Sequence, residues 1–254
     1  MFKLAEKQDK EKIVDFCAES LLGAYVICRL ETYGFDYDFA KYWISEDDTG
    51  VNAVVSSFDG AATVYANERA DHEEMKTFLA VLGFGTVVTD EYTAEKCGFD
   101  DVICKQSFVY KGANEDYTAE DDIDLKKAYK LICKAIPNSF TDSEEAYLSF
   151  LSDFTFRKNR KHARIKGFAD SLSVISCAMT SAETTNSAII SGVACSEERR
   201  GGGFGKRTVL SIADELKSEE KTVYVIALNK SAEKFYEKIG FVPYEKIAYY
   251  CSKS

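Results

Sequence analysis

The chain has 254 residues, of which 46% are hydrophobic, 13% aromatic and 29% charged, with 32 basic side chains against 42 acidic ones. These figures exclude a disordered chain, a collagen-like repeat and a small disulfide-stapled scaffold, and at roughly 100–200 residues per domain the length suits one large domain or two modest ones. No run approaches the roughly 18 apolar residues of a bilayer span, and the opening MFKLAEKQDKEKIVDF puts Lys and Glu where a secretory segment needs apolar residues, so a cytoplasmic protein without membrane contact is expected.

The first half reads as strand FKLAE, one or two helices over KQDKEKIVDFCAESLLGAYVICRLETYG, and three strands, FAKYWISEDD, VNAVVSSF and AATVYAN. A helix follows, starting at Asp71 and stopping at Gly83, then the strand GTVVTDE, a helical turn at YTAEKCGF and the strand VICKQSFVYK. The polar, acidic stretch KGANEDYTAEDDIDL separates this half from the next and marks a linker at 113–122. Beyond it the pattern predicts a helix over 118–135, opening at Thr118 and closed by Pro137, and a second helix from Asp142 or Ser143 to about 159. Strands at 163–169, 172–180 and 187–195 come next, then the helix KRTVLSIADEL, a strand at 222–228, another helix and a last strand. The same order occurs twice, which points to an internal duplication.

Charge divides the halves. Residues 1–112 hold 11 basic and 21 acidic side chains, whereas residues 113–254 hold 21 of each. A net-negative chain suits a cationic small molecule or peptide better than a nucleic-acid backbone, so no nucleic-acid partner is expected. Eight cysteines without C-x-x-C spacing and only two histidines give no metal site, and a triad hydrolase lacks its histidine. Most cysteines sit in apolar runs and read as reduced core residues. The basic run RKNRKHARIK, 157–166, reads as a solvated helix end.

Residues 200–205 read Arg-Gly-Gly-Gly-Phe-Gly, after a strand and before a helix. Glycines there let backbone approach a ligand, and the following helix directs unpaired N–H groups and its positive dipole end at the same space. Pyrophosphate suits such a cradle. The G-x-G-x-x-G of a dinucleotide fold and the G-x-x-x-x-G-K-[ST] of a P-loop are both unmatched, since residue 206 is Lys and residue 207 is Arg.

Arg200, Gly203 and Gly205 match the R/Q-x-x-G-x-G/A signature of the GCN5-related N-acetyltransferase (GNAT) superfamily, and ALNKSAEKFYEKIGFVPYEK resembles that family's second hallmark. The resemblance covers residues 118–254 and implies an α/β (α+β) fold of two acyl-CoA N-acyltransferase-like domains, each a mixed, mostly antiparallel sheet flanked by helices. Residues 123–254 would form the catalytic domain and residues 1–112 a degenerate one, because ERADHE replaces the glycine loop with acids. The implied co-substrate is acetyl-CoA, lying between the strands 188–195 and 222–228. Backbone of Val193 and Cys195 and the side chain of Asn229 would meet its pantetheine arm. Amides of Arg200, Gly201, Gly202, Gly203, Phe204, Gly205 and Lys206 would hold its pyrophosphate. Tyr236 would protonate the departing thiolate; its plainer reading is a core tyrosine. The implied acceptor is a primary amine, cationic by charge alone, and the implied protein is a monomer or homodimer.

The general base is not legible. Some family members place a Glu eleven residues before the Arg or Gln, but Ile189 stands there. Glu183 and Glu145 are candidates through a water, each reading more simply as a solvated surface acid. Glu197 and Glu198 should face away from a pyrophosphate, and Cys195 reads as structural. Two rivals stay open: a coenzyme-binding sensor without turnover, and an interaction protein whose glycine loop is an ordinary turn.

Overall fold

Capping side chains mark most helix starts in the computed structural model, which describes residues 1–112, 117–121, 123–136 and 140–251. The chain forms two compact units. The first comprises Met1–Phe108, Ile226–Glu233 and the last strand from Pro243 onward; the second comprises Val109–Val225 and Lys234–Val242.

In the first unit β1 (Lys3–Leu4) pairs with β2 (Ala40–Asp47), which runs antiparallel to β3 (Gly50–Phe58), and β3 to β4 (Ala61–Ala66). The strand β5 (Thr86–Asp90) lies parallel to β4, and the last strand, β11 (Phe241–Cys251), pairs antiparallel with β5 from Ile247↔Asp90 to Cys251↔Thr86. The strand β6 (Ile103–Tyr110) lies beyond β11, and the Ser107 hydroxyl donates to the Glu245 carbonyl at 2.5 Å. Helices α1 (Lys10–Cys17) and α2 (Leu21–Tyr33) bury Ile13, Val26 and Leu30 against Ile44 and Val54. On the opposite face α3 (His72–Leu82) buries Met75 and Leu79 against Val55, Val64 and Val87. The helix α3 begins at Asp71, whose carboxylate accepts the Glu74 N–H at 2.9 Å, and ends on Gly83 at φ 67°. A short helix α4 (Glu91–Lys96) is capped by Asp90. The long helical stretch near the N-terminus is thus two helices, the second capped by Ser20.

In the second unit the strand order is β7 (Ile165–Ala169), β8 (Val174–Glu183), β9 (Ser187–Cys195) and β10 (Thr222–Ile226), antiparallel except for the parallel β9–β10 pair. Helices α5 (Leu125–Ala135) and α6 (Glu144–Asn159) cover one face, where Ile132 and Phe154 meet Ile165, Cys177 and Met179. Helix α7 (Phe204–Ser218) covers the other. The alternation of β8 places Cys177 toward α5 and the Ser176 hydroxyl 2.6 Å from the Thr208 hydroxyl of α7. Helix α8 (Lys230–Lys238) precedes β11. Among the described residues no helix is long and apolar enough to cross a membrane, and all eight cysteines carry free thiols.

Two expectations need correction. The helix expected from Thr118 begins only at Leu125, capped by Asp124, because Glu120 is taken into an antiparallel bridge with Gly167: the Glu120 N–H donates to the Gly167 carbonyl at 2.8 Å, and the Glu120 carbonyl accepts the Gly167 N–H at 2.9 Å. Gly167 permits this approach; a Cβ there would meet Ile123 Cδ1 at 2.8 Å. Pro137, the expected stop, lies outside the described residues. The basic run 157–166 is also more than a solvated helix end. Arg157 pairs with Asp153 at 2.7 Å, while Arg164 and the 5%-exposed Lys166 are drawn inward by acids.

Candidate functional site

The parallel ladder between β9 and β10 runs from Ser187↔Thr222 to Ile190↔Val225 and stops there. The strand β9 continues to Cys195, so the β10-facing edge of residues 191–195 is not taken by β10. A bulge accompanies the split: Cys177 pairs with Ala194 but Met179 with Ser191. Gly192 sits there at φ 55°, where a Cβ would stand 2.9 Å from Met179 Cγ. Val193 and Cys195, both half-buried, lie on this opened segment.

From β9 the chain turns through Ser196–Gly203 into α7. Gly201 and Gly203 have φ of 82° and 80°, and an added Cβ at either would meet no atom within 4 Å. Gly203 is the N-cap of α7, so no side chain caps the helix. Arg200 and the three glycines are exposed, while Phe204, Gly205 and Lys206 are half-buried. The Phe204 ring lies 5.6 Å from Phe168, and Arg207 stacks on Phe168 at 4.5 Å, which anchors the first turn of α7 on β7. Lys206 lies over Tyr117 at 5.5 Å. Burial pushes the Cys195 thiol up from its ordinary value, partly offset by the Gly205 N–H, so this cysteine is no activated nucleophile.

The corresponding turn of the first unit is built differently. At α3 the Asp71 carboxylate occupies the helix N-terminus, Glu73 and Glu74 follow in the first turn, and the Ala70 N–H closes onto the Asn67 carbonyl at 3.1 Å. A polyphosphate there meets carboxylates instead of free amides.

Asn229 and Tyr236 lie at opposite ends of α8. The Asn229 side-chain oxygen accepts the Ala232 N–H at 3.0 Å, so this exposed residue caps the helix. Tyr236 is 6% exposed, its ring 5.3 Å from Phe235 and 5.5 Å from Phe241, and burial raises its hydroxyl well above the ordinary tyrosine value. It stays protonated at neutral pH. The structure therefore joins Val193, Cys195 and residues 200–206 along β9 and α7; Tyr236 lies on α8, and Asn229 precedes that helix as its cap.

The candidate bases fare unequally. Ile189 is 1% exposed and apolar. Glu145 is an exposed residue of the first turn of α6. Glu183 is not a solvated acid: it is 1% exposed, with its carboxylate accepting from Arg164 at 2.9 and 2.7 Å, from Lys221 at 3.2 Å and from the Thr180 hydroxyl at 2.8 Å. Burial and two cations commit it to structure. Glu198 lies on the α5 side of the loop. No cluster of His, Cys, Asp or Glu among the described residues could hold a metal ion.

Residues 160–250 match the FR47-like protein family. No curated protein matches the chain. Among solved structures, a GNAT-family acetyltransferase from Colwellia psychrerythraea aligns over 100% of both chains at 14% identity and TM-score 0.60. A tandem GNAT protein from the clavulanic acid biosynthesis pathway aligns at 13% identity and TM-score 0.62, covering 100% of this chain and 99% of its own. A GCN5-related N-acetyltransferase from Sphaerobacter thermophilus gives 14% identity and TM-score 0.64, with 98% of this chain and 94% of its own covered. At these identities the likeness is one of fold. The chain shares the fold of these GNAT acetyltransferases, and its residues 160–250 are similar to the FR47-like proteins.

Proposed function

We propose that the protein is an acetyl-CoA-dependent N-acetyltransferase acting on a primary amine of a small molecule or peptide, with its coenzyme site on β9, the glycine turn and α7. One observation carries this reading: the helix after the opened strand begins on a glycine with clear space around it, whereas the matching helix of the first unit begins on its own carboxylate. The residues fit the coenzyme. Amides from Arg200 through Lys206 supply donors and a positive dipole end for a pyrophosphate, and the free edge at Val193 and Cys195 supplies main-chain partners for an extended arm. Asn229 keeps its amide NH2 as a donor. Residues 1–112, with acids in place of the loop, act as a companion domain without coenzyme.

Bound acetyl-CoA supplies an activated thioester carbonyl. An amine nitrogen attacks that carbon, the new C–N bond forms as the C–S bond breaks, and the sulfur leaves as a thiolate. The Tyr236 hydroxyl, held protonated by burial, would donate a hydrogen bond to that sulfur, which takes its proton from solvent. The ammonium formed gives its proton to solvent, since Glu183 is locked in ion pairs and Ile189 has no carboxylate.

Calorimetric titration of acetyl-CoA into the full chain tests the site. Wild-type protein is expected to bind, and Gly203→Glu to bind at least about 30-fold more weakly, because its carboxylate faces the pyrophosphate. Gly203→Ala separates backbone strain from charge. No binding by wild type would refute the site. Tyr236→Phe should lower kcat about 100-fold with coenzyme affinity unchanged. The absence of a strand carboxylate favours one second reading, a coenzyme-binding sensor; binding without turnover of any amine would select it.

A further inference from the structure

Helix α8 has nine residues, and Tyr236 is the one it buries. A helix that short is marginal by itself, so its orientation is set by whatever holds its ends. Asn229 caps its start. Its end runs through Ile239 and Gly240 into Phe241, which is 2% exposed and whose ring lies 5.5 Å from the Tyr236 ring and 4.8 Å from the Tyr110 ring. Gly240 turns at φ 92°, its carbonyl accepts the Lys111 N–H at 3.0 Å, and a Cβ there would stand 3.2 Å from the Gly112 carbonyl oxygen. Residues 110–112 thus grip the turn that follows Tyr236.

The same residues are fastened to α7. The Tyr110 hydroxyl donates to the Asp214 carboxylate at 2.5 Å, a short bond to a charged acceptor and therefore a strong one. Lys217 of the same helix donates to the Lys111 carbonyl, and its ammonium lies 5.6 Å over the Tyr110 ring. Aspartate is a poor helix former in mid-helix, so α7 by itself gains nothing from Asp214. Asp214, Tyr110, Phe241 and Tyr236 form one contiguous chain of contacts within the second unit. The first turn of α7 carries the glycine cradle, and its later turns, through Tyr110, hold the end of α8.

We propose that Tyr110, anchored by Asp214, is the positioning residue of Tyr236: it fixes the orientation of α8 and so aims the Tyr236 hydroxyl at the coenzyme sulfur. The inference rests on the acetyltransferase reading, in which Tyr236 is the sulfur's hydrogen-bond donor. Such a bond weakens steeply with misalignment, so a small tilt of α8 loses it without disturbing the cradle.

NMR of the Tyr236 ring in isotope-labelled full chain, its resonances identified by their loss in Tyr236→Phe, and calorimetric titration of acetyl-CoA test this together. In wild type, coenzyme A is expected to shift the Tyr236 resonances. Tyr110→Phe keeps the ring and loses the hydroxyl. Its acetyl-CoA affinity should stay within about twofold of wild type, while the Tyr236 resonances of the free protein move and their response to coenzyme A is lost. Asp214→Leu should do the same, whereas Asp214→Asn, whose side-chain oxygen still accepts the Tyr110 hydroxyl, should keep the wild-type response. Combining Tyr110→Phe with Asp214→Leu should add nothing further. A pair that only stabilises the fold would lower the melting temperature and leave the Tyr236 response as in wild type, and that outcome would overturn the proposal. So would a loss of acetyl-CoA affinity in Tyr110→Phe, since the pair would then act on the cradle, or a wild type that binds acetyl-CoA without any Tyr236 response. Failure of wild type to bind acetyl-CoA refutes the acetyltransferase reading alone, and the Tyr236 resonances of the free Tyr110→Phe and Asp214→Asn proteins still decide whether the pair positions the ring.

Discussion

Replacing Arg164 by Met is expected to lower stability by about 3 kcal/mol at pH 7, the usual cost of stranding one member of a buried ion pair. Arg164 is the hub of the second unit: its guanidinium clamps Glu183 from two nitrogens and also reaches Glu215 and Glu219. Without it, Glu183 stays 1% exposed with Lys221 as its one counter-ion among the described residues. Thermal melts should fall by roughly 6–12 °C. Arg164→Met combined with Glu183→Met should cost less than Arg164→Met alone, because no charge is then left buried. The effect is also pH-dependent. Hydrogen bonds from Arg164, opposed by burial and aided by Lys221, hold the Glu219 carboxyl down at about 2 against an ordinary 4.5. A depressed carboxyl contributes stability in full above 4.5 and loses it as pH falls toward 2, so variant and wild type should converge in acid. Equal melting at pH 7 would show that water reaches Glu183.

The opposite sign is expected at Glu245. Its Oε1 is buried without a hydrogen-bond partner, and burial first, then the charge of Asp90, pushes its carboxyl up to about 7 from an ordinary 4.5. A raised carboxyl leaves the folded state at its most stable below 4.5 and weakens it as pH climbs through 7. Glu245→Gln removes that burden, at the expense of an amide that must find partners. The net gain should be about 1–2 kcal/mol at pH 8.5, seen as a rise of roughly 2–8 °C, and close to nothing at pH 4. A variant that melts equally at both pH values would place the Glu245 carboxylate in water.

Local chemistry was readable wherever it was local. Asp71, Gly83 and Ser143 announce helix ends that the structure keeps, because a cap needs partners only within a few residues. The glycine turn was equally plain, since positive φ and clear space are properties of the turn itself. Thr118 misled because Glu120 pairs with Gly167, a residue far along the chain. Glu183 and Arg164 misled for the same reason: each reads as a surface charge until β7 and β8 bring them together. Glu245 gives no signal in a strand of mixed residues, for its burial depends on which strands flank it.

That last strand also sets the order in which the protein can be completed during synthesis. Residues 247–251 close the sheet beside β5, whose own last residue is Asp90. At about 5–20 residues per second, the ribosome needs roughly 8–30 seconds to make the stretch between them. Throughout that interval the β5 edge stands without its partner, a flank on which other strands can add. A unit begun early in the chain is thus finished late, and a chain stopped before residue 247 would carry that open edge permanently.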